Sequence, residues 1–143
     1  MKAWVVDASV AAKWVLPSAG EELVPEAVHL LDLSALGQTE LMVPDLFWAE
    51  CGSVLWRAVR TGRCTTAVGE SGLATLKAHN LTTVATAALV EEAFSIAIKH
   101  QCSVYDSLYV ALAVELGVQL VTADQRLSNA LARRFPVTWL GAL

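Results

Sequence analysis

Ala3–Val6 is a short apolar run that stops on Asp7, and helical spacing starts at once behind it. A strand with no polar alternation is covered on both faces, and it needs a crossover to reach a parallel neighbour. The following residues supply one. Val10, Ala11, Trp14 and Val15 fall at helical spacing, and Pro17 ends the helix. The alternation then repeats along the chain. Helices are predicted over about 25–36, 46–60, 65–79, 87–100, 103–117 and 125–135, and strands over about 41–43, 81–84, 119–122 and 137–140. Pro25 in a first turn, Asp45 as an N-cap, and Gly37 and Gly62 past two helix ends mark the boundaries. Such alternation means an α/β fold around a parallel sheet covered on both faces.

The chain has 143 residues and shows no internal repeat, low-complexity tract or linker, so residues 1–143 read as one domain, long enough to bury a core. Its hydrophobic fraction is 55% and its charged fraction 17%, against usual values of roughly 45–50% and about 25%. The apolar surplus points to a buried interface between subunits. No apolar run approaches the roughly 18 residues of a membrane span. Asp7 and Lys13 interrupt the N-terminal stretch too early for a secretory signal, so the cytoplasm is the expected compartment. The net charge of −4 argues against non-specific nucleic-acid binding through a basic surface. It leaves open nucleic acid handled at a metal site beside a local basic patch. Cys51, Cys64 and Cys102 are odd in number and widely spaced, and read as buried free thiols rather than zinc ligands or disulfides.

In open parallel sheets the site lies at the carboxyl ends of the strands. Two acids fall there: Asp7 after the first strand, and Asp124 after Leu120-Val121-Thr122. Each has a local explanation too. Asp7 and Asp124 stand where they can cap the helices behind them, and Ser103-Val104-Tyr105-Asp106 resembles a capping box with Asp in place of Glu. Capping, however, does not require the acids to be near one another. Glu50 is harder to explain locally, because it lies inside a helix among Leu46, Phe47, Val54 and Leu55. At helical spacing Glu50, Ser53, Arg57 and Arg60 form one polar stripe. That stripe is either a solvated face, or it begins at an acidic pocket and ends on a phosphate backbone with Arg63 extending it. Trp48 and Trp56 make the rest of the helix apolar, so it packs on the core one way and on a partner subunit another.

Four gathered carboxylates repel and raise one another's pKa unless a cation neutralises them. Oxygen ligands without histidine or cysteine suit the hard ions Mg²⁺ and Mn²⁺. Two such ions about 3.5–4 Å apart can stabilise the attacking and leaving oxygens of a phosphodiester displacement. Asp7, Glu50, Asp106 and Asp124 are therefore the candidate metal-binding catalytic acids, with Ser9, Thr122 and Ser107 as hydroxyls beside them. Helix-terminal capping is the alternative role for those hydroxyls. Arg57, Arg60 and Arg63 are the candidate RNA contacts.

Four segments carry a family resemblance, in order and over essentially the whole chain. They are Val5-Val6-Asp7-Ala8-Ser9, Pro44-Asp45-Leu46-Phe47-Trp48-Ala49-Glu50, Tyr105-Asp106-Ser107-Leu108-Tyr109-Val110-Ala111-Leu112-Ala113, and Leu120-Val121-Thr122-Ala123-Asp124-Gln125-Arg126-Leu127. The chain resembles PIN-domain proteins, most of all the toxin ribonucleases of VapBC-type toxin–antitoxin pairs. The resemblance implies a three-layer α/β/α sandwich and an endoribonuclease dependent on Mg²⁺ or Mn²⁺. It also implies a homodimer, and an antitoxin partner that docks on the helix pair of residues 46–79. Carried over by motif, Asp7, Glu50, Asp106 and Asp124 are the metal-binding acids, with Thr122 and Ser9 supporting.

Other α/β folds fail on residues. A dinucleotide-binding domain needs GxGxxG where this chain has Asp7-Ala8-Ser9-Val10-Ala11-Ala12. A haloacid-dehalogenase-like phosphatase needs a second aspartate where Ser9 sits. A receiver domain needs a lysine after a late strand and an acidic pair before the end of the first, and neither is present. The alternatives in function are a PIN-like RNA- or protein-binding module without turnover, and a nuclease of RNA maturation or decay outside a toxin pair.

Overall fold

Five short strands pair only in parallel, in the order β3-β2-β1-β4-β5, in the computed structural model, which describes residues 1–143. They are β1 (Lys2–Val6), β2 (Thr39–Pro44), β3 (Thr82–Val84), β4 (Gln119–Thr122) and β5 (Val137–Trp139). Seven α-helices connect them: α1 (Ala8–Val15), α2 (Val24–Ala35), α3 (Leu46–Arg60), α4 (Thr66–Ala78), α5 (Val90–His100), α6 (Val104–Leu116) and α7 (Gln125–Leu131). Parallel neighbours cannot be joined by a tight turn, so every connection leaves the plane of the sheet. The right-handed crossover rule sends α1–α4 to one face and α5–α7 to the other. The helix packing agrees: α1 packs on α2, α3 and α4, and α5 packs on α6. This is the α/β/α sandwich implied by the sequence.

The chain builds outward from β1 through β2 to β3, then returns to place β4 on the other side of β1. Val5 stands opposite both Met42 and Leu120, and Val6 opposite Val121. The strand order therefore reverses between β1 and β4, and a crevice opens at their carboxyl ends. Asp7 and Thr122 stand on its two sides.

Val5, Val6, Leu41, Val43, Leu120 and Val121 have no exposed surface. Over this sheet lies α6, whose residues Ser107–Ala113 are all buried. A helix apolar all round belongs to an interior, and α6 touches β1, β2 and β4 while α5 covers its outer side. Gly117, at φ +66°, ends α6 with Val118 N–H donating to the Ala113 carbonyl at 3.0 Å.

The predicted elements differ from the structure mainly at their ends. The helix predicted to reach Phe135 ends at Leu131. Pro136 disfavours helical backbone at Phe135, and the chain leaves through turns closed on the Leu131 carbonyl. The helix predicted from 87 begins with a 3₁₀ turn, Ala87–Leu89, and the strand predicted to reach Leu140 gives way to a 3₁₀ turn over Leu140–Ala142. Strand β2 is longer than its apolar run, because the Thr39 hydroxyl donates to the Lys2 carbonyl at 2.9 Å and ties its start to β1.

Candidate active site

The ladder between β1 and β4 continues one residue past β1, where Asp7 N–H donates to the Val121 carbonyl at 3.1 Å. This fixes the Asp7 backbone at the mouth of the crevice. Asp7 occupies the N-cap position of α1 but makes no side-chain capping bond. Its Oδ2 instead accepts from the Ser9 hydroxyl at 2.8 Å and from the Thr122 hydroxyl at 2.7 Å. Each hydroxyl has one proton, and both are committed to this single oxygen. The hydroxyl oxygens accept in turn from the loop after β4: Ala123 N–H reaches Ser9 Oγ and Asp124 N–H reaches Thr122 Oγ1, both at 3.0 Å. Main chain, hydroxyl and carboxylate thus knit the ends of β1 and β4 together, and they leave Asp7 Oδ1 clear of both hydroxyls.

Glu50 lies in the second turn of α3, half-buried, and its Oε1 accepts from the Tyr109 hydroxyl at 2.6 Å. Tyr109 sits on α6, 1% exposed, three residues after Asp106 and on the same side of the helix. Asp106 is in the first turn of α6, where the Ser103 hydroxyl accepts from Asp106 N–H at 3.0 Å. The reciprocal bond that would complete a capping box is not made, so the Asp106 carboxylate is not used as a cap. Asp124 does cap, with Oδ1 accepting from Leu127 N–H at 3.2 Å. Asp7 and Asp106 also stand at the positive ends of α1 and α6, which favour negative charge.

Three of these carboxyls are raised in pKa, each chiefly by burial. Burial raises Asp7 above its ordinary value; the Thr122 and Ser9 hydroxyls oppose the rise, and the charge of Asp106 adds to it. Burial raises Glu50, the Tyr109 hydroxyl opposes it, and Asp7 and Asp106 add to it. Burial raises Asp106; the Ser103 hydroxyl and the Arg126 charge oppose, while Asp124 adds. No cationic side chain forms an ion pair with any of the four acids: the ion pairs present join Lys13 and Arg63 to Glu21. A desolvated group of carboxylates without a paired cation, with oxygen donors only, is chemically suited to a hard divalent ion. As the side chains stand, no three acidic, histidine or cysteine groups form a ready-made cage for such an ion.

The remaining candidates divide. Ser107, expected to hydrogen-bond an acid, does not: fully buried inside α6, it donates to the Ser103 carbonyl at 2.8 Å and lies 3.1 Å from Cys102 Sγ. Back-bonding to the preceding turn is the ordinary outlet for a helical serine with no polar neighbour. Arg57 and Arg60 lie exposed on α3, with Arg60 over the Trp56 ring at 5.0 Å, and Arg63 pairs with Glu21 at 3.5 Å. They stand roughly 10 Å or more along the helix from Glu50, given about 1.5 Å of rise per residue. All three cysteines are free; Cys51 is buried, whereas Cys64 and Cys102 are only partly so. Burial and the neighbouring Glu50 charge push the Cys51 thiol up to about 12, so it is no nucleophile. Sequence reasoning gave no role to two residues inside its own motif segments, Tyr109 and Arg126. The signal for Tyr109 was its spacing from Asp106. Arg126 lies two residues past Asp124.

Comparison with known proteins identifies the family. The family model described as PIN domain matches residues 4–131. Ribonuclease VapC3 of Pyrobaculum aerophilum is 32% identical over 139 residues, covering 92% of this chain and 94% of that protein. Ribonuclease VapC9 of Mycobacterium tuberculosis is 37% identical over 98 residues, covering 68% and 76%. Among solved structures, PAE2754 of Pyrobaculum aerophilum superposes with a TM-score of 0.72 at 23% identity, covering 99% of this chain and 85% of that one. VapC20 of Mycobacterium tuberculosis, a toxin that cleaves the sarcin-ricin loop, gives 0.66 at 21% identity, covering 92% and 95%. The residues matched by the family model include all four acid-bearing segments, and the chain belongs to the PIN-domain family, among the VapC-type proteins.

Proposed function

We propose that this chain is a Mg²⁺- or Mn²⁺-dependent endoribonuclease acting as the toxin of a toxin–antitoxin pair. The observation that carries the proposal is the geometry at the carboxyl ends of β1 and β4: buried Asp7 is held there by the Ser9 and Thr122 hydroxyls, Glu50 is held by Tyr109, and no cationic side chain forms an ion pair with any of the four acids. Asp7, Glu50, Asp106 and Asp124 would hold the metal. The bound metal supplies an activated water and stabilises charge on the phosphate oxygens. Ser9 and Thr122 orient the Asp7 carboxylate, and Tyr109 orients Glu50. The named activities of the VapC relatives support RNA as substrate.

Relatives solved as toxin–antitoxin complexes, from Klebsiella pneumoniae and Rickettsia felis, support an antitoxin partner. The groove between α3 and α4, about 300 Å³ and bordered by Gly52, Leu55, Trp56, Gly69 and Leu73, suits a partner that brings apolar side chains. The homodimer is assigned to α5, where exposed Val90, Phe94 and Ile98 recur every fourth residue. Light scattering on Phe94→Glu should then report monomer where the native chain reports dimer. No helix is long and apolar enough to cross a membrane; cytoplasmic action is part of the proposal.

The test is cleavage of total RNA with mapped ends. Mn²⁺ should support cleavage, chelator should stop it, and Asp7→Asn should abolish it while the protein stays folded. The asparagine carbonyl can still accept the Ser9 and Thr122 hydroxyls, so the knot at the strand ends survives the change. Full activity in Asp7→Asn, or in excess chelator, removes the metal mechanism.

A further inference from the structure

The acid cluster opens on one side into a space larger than a metal ion needs. It is a cavity of about 360 Å³ between the α5–α6 turn and α7. Asp106, Asp124, Gln101, His100 and Arg126 are among the residues that line it. Its size falls within the about 300–1,000 Å³ of pockets that take a small organic group. Because two candidate metal ligands line it, whatever fills it lies next to the bond being cut.

Gln101 is the feature that marks this cavity as a site. Four helices are followed by a residue of positive φ. After α2, α3 and α6 that residue is Gly37, Gly62 and Gly117, whereas after α5 it is Gln101, at φ 56°. A side chain in left-handed backbone is strained, and glycine avoids that strain. Gln101 lines the cavity, and its side chain carries an amide. An amide offers both a donor and an acceptor, the pair needed to read a base edge. His100 is held beside it by an edge-on contact with Phe135, 5.2 Å between ring centroids. Arg126 lines the same cavity as Asp106 and Asp124. Its guanidinium fork matches phosphate geometry.

We propose that this cavity holds one unstacked nucleotide of single-stranded RNA next to the cleaved phosphodiester, its base edge read by Gln101 and its phosphate held by Arg126. The proposal rests on the nuclease reading above. Sequence-specific proteins commonly bind RNA bases splayed out of the stack, and a polar cleft of this size suits one such base better than a helix groove.

The test is end-mapping after Mn²⁺-dependent cleavage of a randomised single-stranded RNA pool, with the native chain, Gln101→Gly, Gln101→Glu and Arg126→Ala. Gln101→Gly relaxes the backbone, so it should fold. It should flatten the base preference at one position flanking the cut by roughly tenfold, the discrimination carried by one base contact. Gln101→Glu removes the amide donors and should turn that preference towards bases presenting an amino group. Arg126→Ala should raise KM roughly tenfold and leave the base preference in place. Unchanged preference in both Gln101 variants of a cleaving protein overturns the subsite alone. If the native chain cleaves nothing, the nuclease reading itself fails. Fluorescence anisotropy of short RNAs on Asp7→Asn then decides the subsite: equal affinity with and without Gln101→Gly overturns it.

Discussion

Tyr109 and Glu50 stand 59 positions apart in the chain and meet through a hydroxyl–carboxylate bond of 2.6 Å. One comes from the buried helix over the sheet and the other from the helix that leaves it, so the bond ties the two faces together at the acid cluster. The hydroxyl holds down the Glu50 pKa against burial and the charges of Asp7 and Asp106. Tyr109→Phe removes that restraint and keeps the ring. We expect a loss of about 1–2 kcal/mol in stability from the missing hydrogen bond. We also expect a higher metal concentration for half-maximal cleavage, and a rise in the acid limb of the pH–rate profile. If stability falls while metal dependence and pH profile stay put, Tyr109 merely packs.

Ser9 and Thr122 share the acceptor Asp7 Oδ2, so their contributions are coupled. Ser9→Ala also leaves Ala123 N–H without its acceptor, and Thr122→Val does the same to Asp124 N–H. Each single change should cost about 1–3 kcal/mol in denaturant unfolding. The double change should depart from their sum by about 0.5 kcal/mol or more, the lower bound for residues in one network. Simple additivity would mean that the two hydroxyls act independently, contrary to the shared geometry.

The raised carboxyls make a signed statement about pH. Asp7, Glu50 and Asp106 ionise less readily in the folded chain than in the unfolded one. Their stabilising contribution in the metal-free chain is therefore complete below the ordinary carboxylate range, about pH 4, and is lost as pH rises through the raised values. Other carboxylates also titrate there, so the clean comparison is with Asp7→Asn. Without metal, Asp7→Asn should melt above the native chain at pH 7, with the gap closing towards pH 4. Mn²⁺ at a hundredfold excess over its Kd should raise the native Tm by roughly 5–10 °C and barely move the variant. A native Tm that is indifferent to Mn²⁺ at pH 7 would sink the metal assignment.

The fold was legible because the apolar run of β1 is uninterrupted and both β1 and β4 are followed at once by helical spacing. Those are local signals, and they survive folding. The boundary at Leu131 was missed because helical spacing continues to Phe135, while Pro136 acts backward on the residue before it. The site was legible in its acids and less so in their partners. Asp7 and Asp124 look alike in sequence, each behind a strand and ahead of a helix, yet Asp124 caps and Asp7 does not. Only the pairing of β1 with β4 brings Thr122 to Asp7 and makes a better offer than the α1 N-terminus. Ser107 shows the converse: its neighbour in sequence is an acid, but the turn of α6 points it inward.

Arg57 and Arg60 follow Glu50 on α3, and their position separates RNA binding from metal binding. Both are exposed, neither pairs with an acid, and Arg60 lies over the Trp56 ring, whereas Arg63 is paired with Glu21. Arg57 and Arg60 are thus free to meet phosphates, and Arg63 can do so only by leaving Glu21. Replacing both Arg57 and Arg60 with alanine should raise KM for RNA by roughly tenfold at low salt and leave the Mn²⁺ requirement unchanged. The slope of log K against log salt should fall by about one for each phosphate that is no longer neutralised, and Arg63→Ala should change it less. A salt slope equal to that of the native chain would show that the stripe is simply solvated. The double change also strips Trp56 of its guanidinium neighbour, so antitoxin binding through the α3–α4 groove should be measured alongside. Loss of both activities together would point to a disturbed α3 surface and away from direct phosphate binding.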